Sequence, residues 1–162
     1  MSRGKVAAGL SAAILLIAAP FVSKFEGTRL EPYRDLNGIW TVCKGETHVE
    51  MRPYTQAECD DMFKRSLEAH GHDVMRCLPD GLPPNVYAAA WSIGYNMGAP
   101  KFCGSEFAQR LRAGEGAGAC KAISLLTTIN DGKVDCADPR NRCGGIVRRR
   151  AGERAICEGR AP

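Results

Sequence analysis

The chain opens on an uncharged run from Val6 to Ser23, headed by Arg3 and Lys5 and closed by Lys24. As a helix such a run just spans a bilayer core of about 30 Å. Two short β-type runs then flank Leu36-Asn37-Gly38, where Asn-Gly is a hairpin signal. Lys44 to Glu50 reads as completing a small sheet. Thr55-Gln56-Ala57-Glu58 forms a capping box, and Cys59, Met62, Phe63, Leu67, His70, Val74 and Met75 follow at helical spacing. This predicts a helix over 56–77, long enough to join two lobes. Leu82-Pro83-Pro84-Asn85 opens another, from Val86 to Asn96, apolar nearly all round and so a core helix. Ser105 caps a helix carrying Phe107 and Leu111, a further helix is predicted from Ala117 to Ile129, and 130–145 reads as a loop pinned by two cysteines. There is no internal repeat and no low-complexity tract.

The 162 residues, 44% hydrophobic and 25% charged, suffice for one core. The net charge of +4 suits an anionic surface but equally plain solubility, and no Lys/Arg tract with interleaved aromatics points to nucleic acid. The eight cysteines include no Cys-x-x-Cys pair, so they read as disulfides of an oxidising compartment rather than a metal site. Eight cysteines allow on the order of 100 pairings. The proposed elements suggest Cys43–Cys59, Cys77–Cys103, Cys120–Cys157 and a local Cys136–Cys143 loop. His48, His70 and His72 read as surface or helix residues.

The candidate chemistry lies at 25–43. Glu26 ends an apolar run, Gly27 stops the helix, Asp35 precedes the hairpin turn and Thr41 follows it. Hairpin closure brings Asp35 and Thr41 together, and a helix packed behind the hairpin would set Glu26 across a gap from them. Two carboxylates across a gap suit glycoside hydrolysis, one protonating the leaving oxygen and the other activating water or attacking the sugar. The first must keep its proton, which a low-dielectric setting beside Phe25 would favour.

The frame Glu-Gly-x-x-Leu-x-x-Tyr-x-Asp-x-x-Gly-x-Trp-Thr, filled here by Glu26, Gly27, Leu30, Tyr33, Asp35, Gly38, Trp40 and Thr41, resembles the catalytic stretch of the phage-type lysozymes, glycoside hydrolase family 24. The likeness covers about 24–159. It implies an α+β lysozyme fold with a small hairpin-sheet lobe, a larger helical lobe and a long helix joining them. It implies hydrolysis, with inversion, of the β-1,4 bond between N-acetylmuramic acid and N-acetylglucosamine in peptidoglycan by a monomer without metal or cofactor. Glu26 would be the general acid, Asp35 would polarise water or stabilise the positive sugar, and Thr41 would position the water. Asn96, in an Asn-x-Gly that borders the family's cleft, reads either as a substrate-binding residue or as a helix C-terminal residue before Gly98. Where many relatives read Gly-His-Thr, this chain has Gly45-Glu46-Thr47. Gly145 to Cys157 resembles the family's C-terminal Gly-Leu-x-x-Arg-Arg-x-x-Glu helix; Arg148 to Arg150 read as a solvated basic face, with Glu153 pairing to Arg149, in preference to a contact with wall polymer.

Residues 1–23 resemble the signal-anchor-release segment of a subset of phage endolysins, ahead of a catalytic domain over 24–162. An uncleaved anchor is the preferred reading; a cleaved signal peptide and a buried helix are the alternatives. The many alanines make the anchor weak, and Arg3 and Lys5 keep its start in the cytoplasm. The expected course is passage through the host export machinery, tethering in the inner membrane through residues 6–23, then release into the periplasm. Tethering would hold Glu26 at the interface and the enzyme inactive. The rival functions are a catalytically inactive peptidoglycan-binding protein and a membrane-anchored envelope protein.

Overall fold

The structure is a computed structural model that describes residues 3–35 and 38–162, with backbone alone for 3–8. The hairpin tip at Leu36 and Asn37 therefore lies outside the described residues. Three long helices meet at a fourth, α3 (Pro84–Met97), whose residues from Val86 to Gly94 are all buried. It starts at Pro84, where a missing N–H costs nothing, and ends at Gly98, whose φ of 85° few other residues tolerate. Against it lie α1 (Arg3–Ser23), α2 (Gln56–Met75) and α7 (Gly144–Cys157). The capping box expected at Thr55 and Glu58 is present, and α2 packs so closely on α3 that a Cβ at Gly71 would lie 2.2 Å from the Trp91 ring.

The stretch read as an anchor is α1. It lies on the domain, with Ile14, Ala18, Phe21 and Val22 buried in the main core. Phe21 meets α7 where Gly152 has no side chain; a Cβ there would stand 2.5 Å from the ring. Among the described residues no helix is long and apolar enough to cross a membrane.

The small lobe is a two-stranded antiparallel hairpin, β1 (Arg29–Arg34) and β2 (Trp40–Cys43), with Tyr33 opposite Thr41. The stretch after it does not complete a sheet. Cys43 and Gly45, at φ 59° and 100°, turn the chain back so that only Val42 and Glu46 form a bridge.

Beyond α3 come α4 (Ala99–Gly104) and α5 (Glu106–Arg112), the latter capped by the Ser105 hydroxyl. The helix expected over 117–129 is shorter: α6 (Gly116–Ala122) passes into a 3-10 turn at Ile123–Leu125. Thr128–Ile129 then forms β3, paired with β4 (Val134–Asp135) inside the expected loop. Consecutive β-branched residues and a left-handed turn at Asn130, Asp131 and Gly132 favour a hairpin over a further helical turn.

All four disulfides join the cysteines paired from the sequence. Cys43–Cys59 fixes the hairpin to α2, Cys77–Cys103 ties the end of α2 to α4, and Cys120–Cys157 ties α6 to α7.

Candidate active site

Glu26 lies three residues beyond the end of α1, where the Lys24 N–H bonds the Phe21 carbonyl and the Phe25 N–H the Val22 carbonyl. Its surroundings differ from the apolar setting expected beside Phe25. The Arg149 guanidinium lies 5.3 Å from the Phe25 ring centre and its Nη1 donates to Glu26 Oε1 at 3.1 Å.

Arg149 and Arg150 are buried, not on a solvated face. The pairing of Arg149 with Glu153 is as the spacing suggested, yet Glu153 is fully buried. Glu153 Oε1 accepts from Ser92 Oγ at 2.6 Å and Arg149 Nε at 3.1 Å, and its Oε2 accepts from Arg150 Nη1 at 2.6 Å. Arg149 Nη2 reaches the Ser92 carbonyl. Arg150 donates to the Leu126 carbonyl at 2.8 Å and to Asn96 Oδ1 at 2.7 Å. A network with so many filled hydrogen bonds in a low-dielectric interior rigidifies its members. It runs unbroken from Glu26 on the α1 side to Asn96 in the last turn of α3, with two guanidiniums facing two carboxyls. Asn96 is exposed and lies in the last turn of α3, two residues before the Gly98 cap, as its reading as a helix C-terminal residue expected. The sequence held a signal for this network: Glu153 lies on the same face of α7 as Arg149, Ile156 and Cys157, and a charge inside an apolar stripe is a buried charge.

The other two candidates sit on the hairpin and share one residue. Asp35 Oδ1 accepts from the Ile39 N–H at 2.9 Å, and Thr41 Oγ1 donates to the Ile39 carbonyl at 3.0 Å. Register places Thr41, which is buried, opposite Tyr33, two residues before Asp35. The hairpin thus brings Asp35 and Thr41 together, while Glu26 is fixed from the helical side. Chemically this is one carboxyl clamped by the large lobe and one carried by the small lobe. Among the described residues no group of His, Cys, Asp and Glu could hold a metal ion.

The matched family model is described as phage lysozyme and covers residues 23–153. The chain belongs to the phage lysozyme family. These are glycoside hydrolases, and so is this enzyme. Over 174 aligned residues the lysozyme is 36% identical to the SAR-endolysin of Escherichia phage 933W, covering 96% of each chain. Its fold is that of the endolysin from Escherichia coli O157:H7 phage FAHEc1, with TM-score 0.73 at 24% identity over 90% of this chain and 93% of the other. The active form of the P1 phage endolysin Lyz matches with TM-score 0.70 at 20% identity, over 93% of each chain.

One more feature of the lysozyme adjoins the site. A cavity of about 460 Å³ is lined by Glu46, His48, Ser66, His70 and Tyr95 among others. Glu46 Oε1 is buried there with no hydrogen-bond partner among the described residues. Burial raises the Glu46 carboxyl above its ordinary range, opposed chiefly by the nearby His70. Burial, then the nearby Glu26 and Glu46, push the Tyr95 phenol up to about 12, so it stays a neutral donor at working pH.

Proposed function

We propose that this lysozyme is an endolysin of the muramidase type, cutting the β-1,4 bond between N-acetylmuramic acid and N-acetylglucosamine in peptidoglycan. Glu26 protonates the glycosidic oxygen, and a water held by Thr41 and polarised by Asp35 attacks the anomeric carbon from the opposite face, inverting it. Asn96, on the same network, contacts the sugar chain. The observation that carries the reading is the division of labour at the site. Arg149 holds Glu26 by Oε1 at 3.1 Å, so the proton Glu26 gives up sits on Oε2, and Asp35 and Thr41 are locked to the two polar groups of Ile39. Such holding is what a reaction sensitive to sub-ångström placement requires. The test is release of reducing ends from purified peptidoglycan by oxidised, detergent-free protein. Wild type should cut and Glu26→Gln should lose nearly all activity; a wild type that binds but does not cut would favour an inactive wall-binding protein.

The same proposal extends to control. Residues 1–23 act as a weak signal-anchor for the catalytic domain over 24–162, which passes the host export machinery, waits in the inner membrane and works in the periplasm as a monomer after release. Two observations support this. Relatives along nearly the whole chain are SAR-endolysins, and α1 supplies Ile14, Ala18, Phe21 and Val22 to the core. Side chains cannot face lipid and fill that core at once, so a tethered enzyme lacks the support on which Glu26 rests. Hydrolysis by membrane-tethered protein at the rate of released protein would refute the control mechanism and leave the chemistry standing.

A further inference from the structure

We propose that Lys44 is a positioning residue that sets the separation between the two halves of the site. The proposal rests on Glu26 being the catalytic acid. Lys44 directly follows β2, the strand that carries Thr41, and its side chain is only 5% exposed, rare for a lysine. Its ammonium donates to Ser23 Oγ at 2.7 Å and to Asp60 Oδ1 at 2.7 Å, and sits 4.8 Å from the centre of the Phe63 ring. Ser23 is the last residue of α1 and Asp60 belongs to α2. One buried charge therefore joins the hairpin lobe to both helices.

The order of construction is written in the sequence. Lys44 follows Cys43, Asp60 follows Cys59, and these two cysteines are bonded to each other. The covalent link brings Lys44 and Asp60 together whether or not α1 is in place. Lys44 also holds Asp60 below the usual carboxylate range, keeping the pair charged. Hairpin and α2 thus present a preformed ammonium to the end of α1. A cation at a helix C-terminus is favoured by the aligned carbonyls; α1 has no basic residue in its last turn, and Lys44 joins Lys24, the residue after α1, at that end.

From Ser23 the chain has little freedom before Glu26, since the N–H groups of Lys24 and Phe25 are bonded back into α1. A shift at Ser23 is therefore passed on to Glu26. Lys44–Ser23 is a direct polar link between the lobe bearing Thr41 and Asp35 and the helix bearing Glu26. Arg149 orients the Glu26 side chain from α7; Lys44 fixes the backbone it hangs from.

The experiment compares wild type with Lys44→Met, Ser23→Ala, the double variant, Asp60→Asn and Glu26→Gln, reading kcat and KM on soluble glycan fragments and Tm. Lys44→Met keeps the stem on Phe63 and strands no buried charge, because Asp60 is 39% exposed and also bonds Gln56. Lys44→Met and Ser23→Ala should each lower kcat about tenfold with KM unchanged, with no further loss in the double variant. Asp60→Asn should lower Tm as much as Lys44→Met does while keeping kcat near wild type. An active wild type whose Ser23→Ala variant is unimpaired overturns the positioning role alone, as does Asp60→Asn matching the kcat loss of Lys44→Met. If wild type is itself inactive, the muramidase reading falls and takes this one with it.

Discussion

Glu153→Gln tests the buried network most directly. The substitution keeps the shape of the side chain and removes its charge, leaving Arg149 and Arg150, each 3% exposed, without the carboxylate between them. Glu153 accepts three hydrogen bonds, two of them from guanidiniums. An amide has one oxygen, and its NH2 would face a guanidinium that also only donates. Removing one partner of a buried ion pair costs about 3–5 kcal/mol, because the remaining charge stays desolvated. For a chain of this size each kcal/mol moves Tm by roughly 2–4 °C, so the expected drop is about 6–20 °C. Urea melts at pH 7 without reductant give the free energy independently. High salt should not erase the difference, since buried pairs are screened little. Activity should fall even where the variant is fully folded, because Arg149 loses the partner that orients it toward Glu26. A loss below about 1 kcal/mol, of the size seen for exposed pairs, would refute the claim that this network is the rigid support of the site.

Glu46→Gln should stabilise the protein at neutral pH. The folded carboxyl titrates above its ordinary value of 4.5, so its favourable contribution is present below that pH and lost as pH rises through the higher folded value; melts across pH should show the variant's advantage grow with pH and vanish in acid. Gly152→Ala should cost about 1–3 kcal/mol, since its Cβ meets the buried Phe21 ring at 2.5 Å, and proteolysis should reveal a loosened α1; unchanged melts would show that α1 yields freely. Replacing Cys120 and Cys157 by Ser should cost about 4 kcal/mol and replacing Cys136 and Cys143 about 2 kcal/mol, the closed loops spanning 37 and 7 residues; equal losses in denaturant melts would contradict the loop-entropy account.

Much of this protein was determined by local pattern. The capping box at Thr55 and Glu58, the hairpin of β1 with β2 and the all-round apolar face of α3 follow from residue types at short spacing, because caps, turns and helix faces are decided within a few residues; the disulfides, two of which span 26 and 37 residues, depend instead on how the elements pack. Glu26, Asp35 and Thr41 stand out for the same reason: they share one contiguous stretch. Local pattern failed at Thr128 and Ile129, where a hairpin stands in place of the expected helix end.

The tertiary structure alone decided what surrounds those residues. Whether Arg149 and Arg150 face water depends on Ser92, Glu26, Asn96 and the Leu126 carbonyl, which are far away in the chain and together replace the solvation the guanidiniums give up. The hydrophobicity of α1 is equally compatible with lipid and with protein. Packing on α3 and α2, and on α7 where Gly152 opens a place for Phe21, makes it part of the core. Burial of a charge and the choice of solvent for an apolar helix are properties of partners brought together by folding, and no short window of sequence contains them.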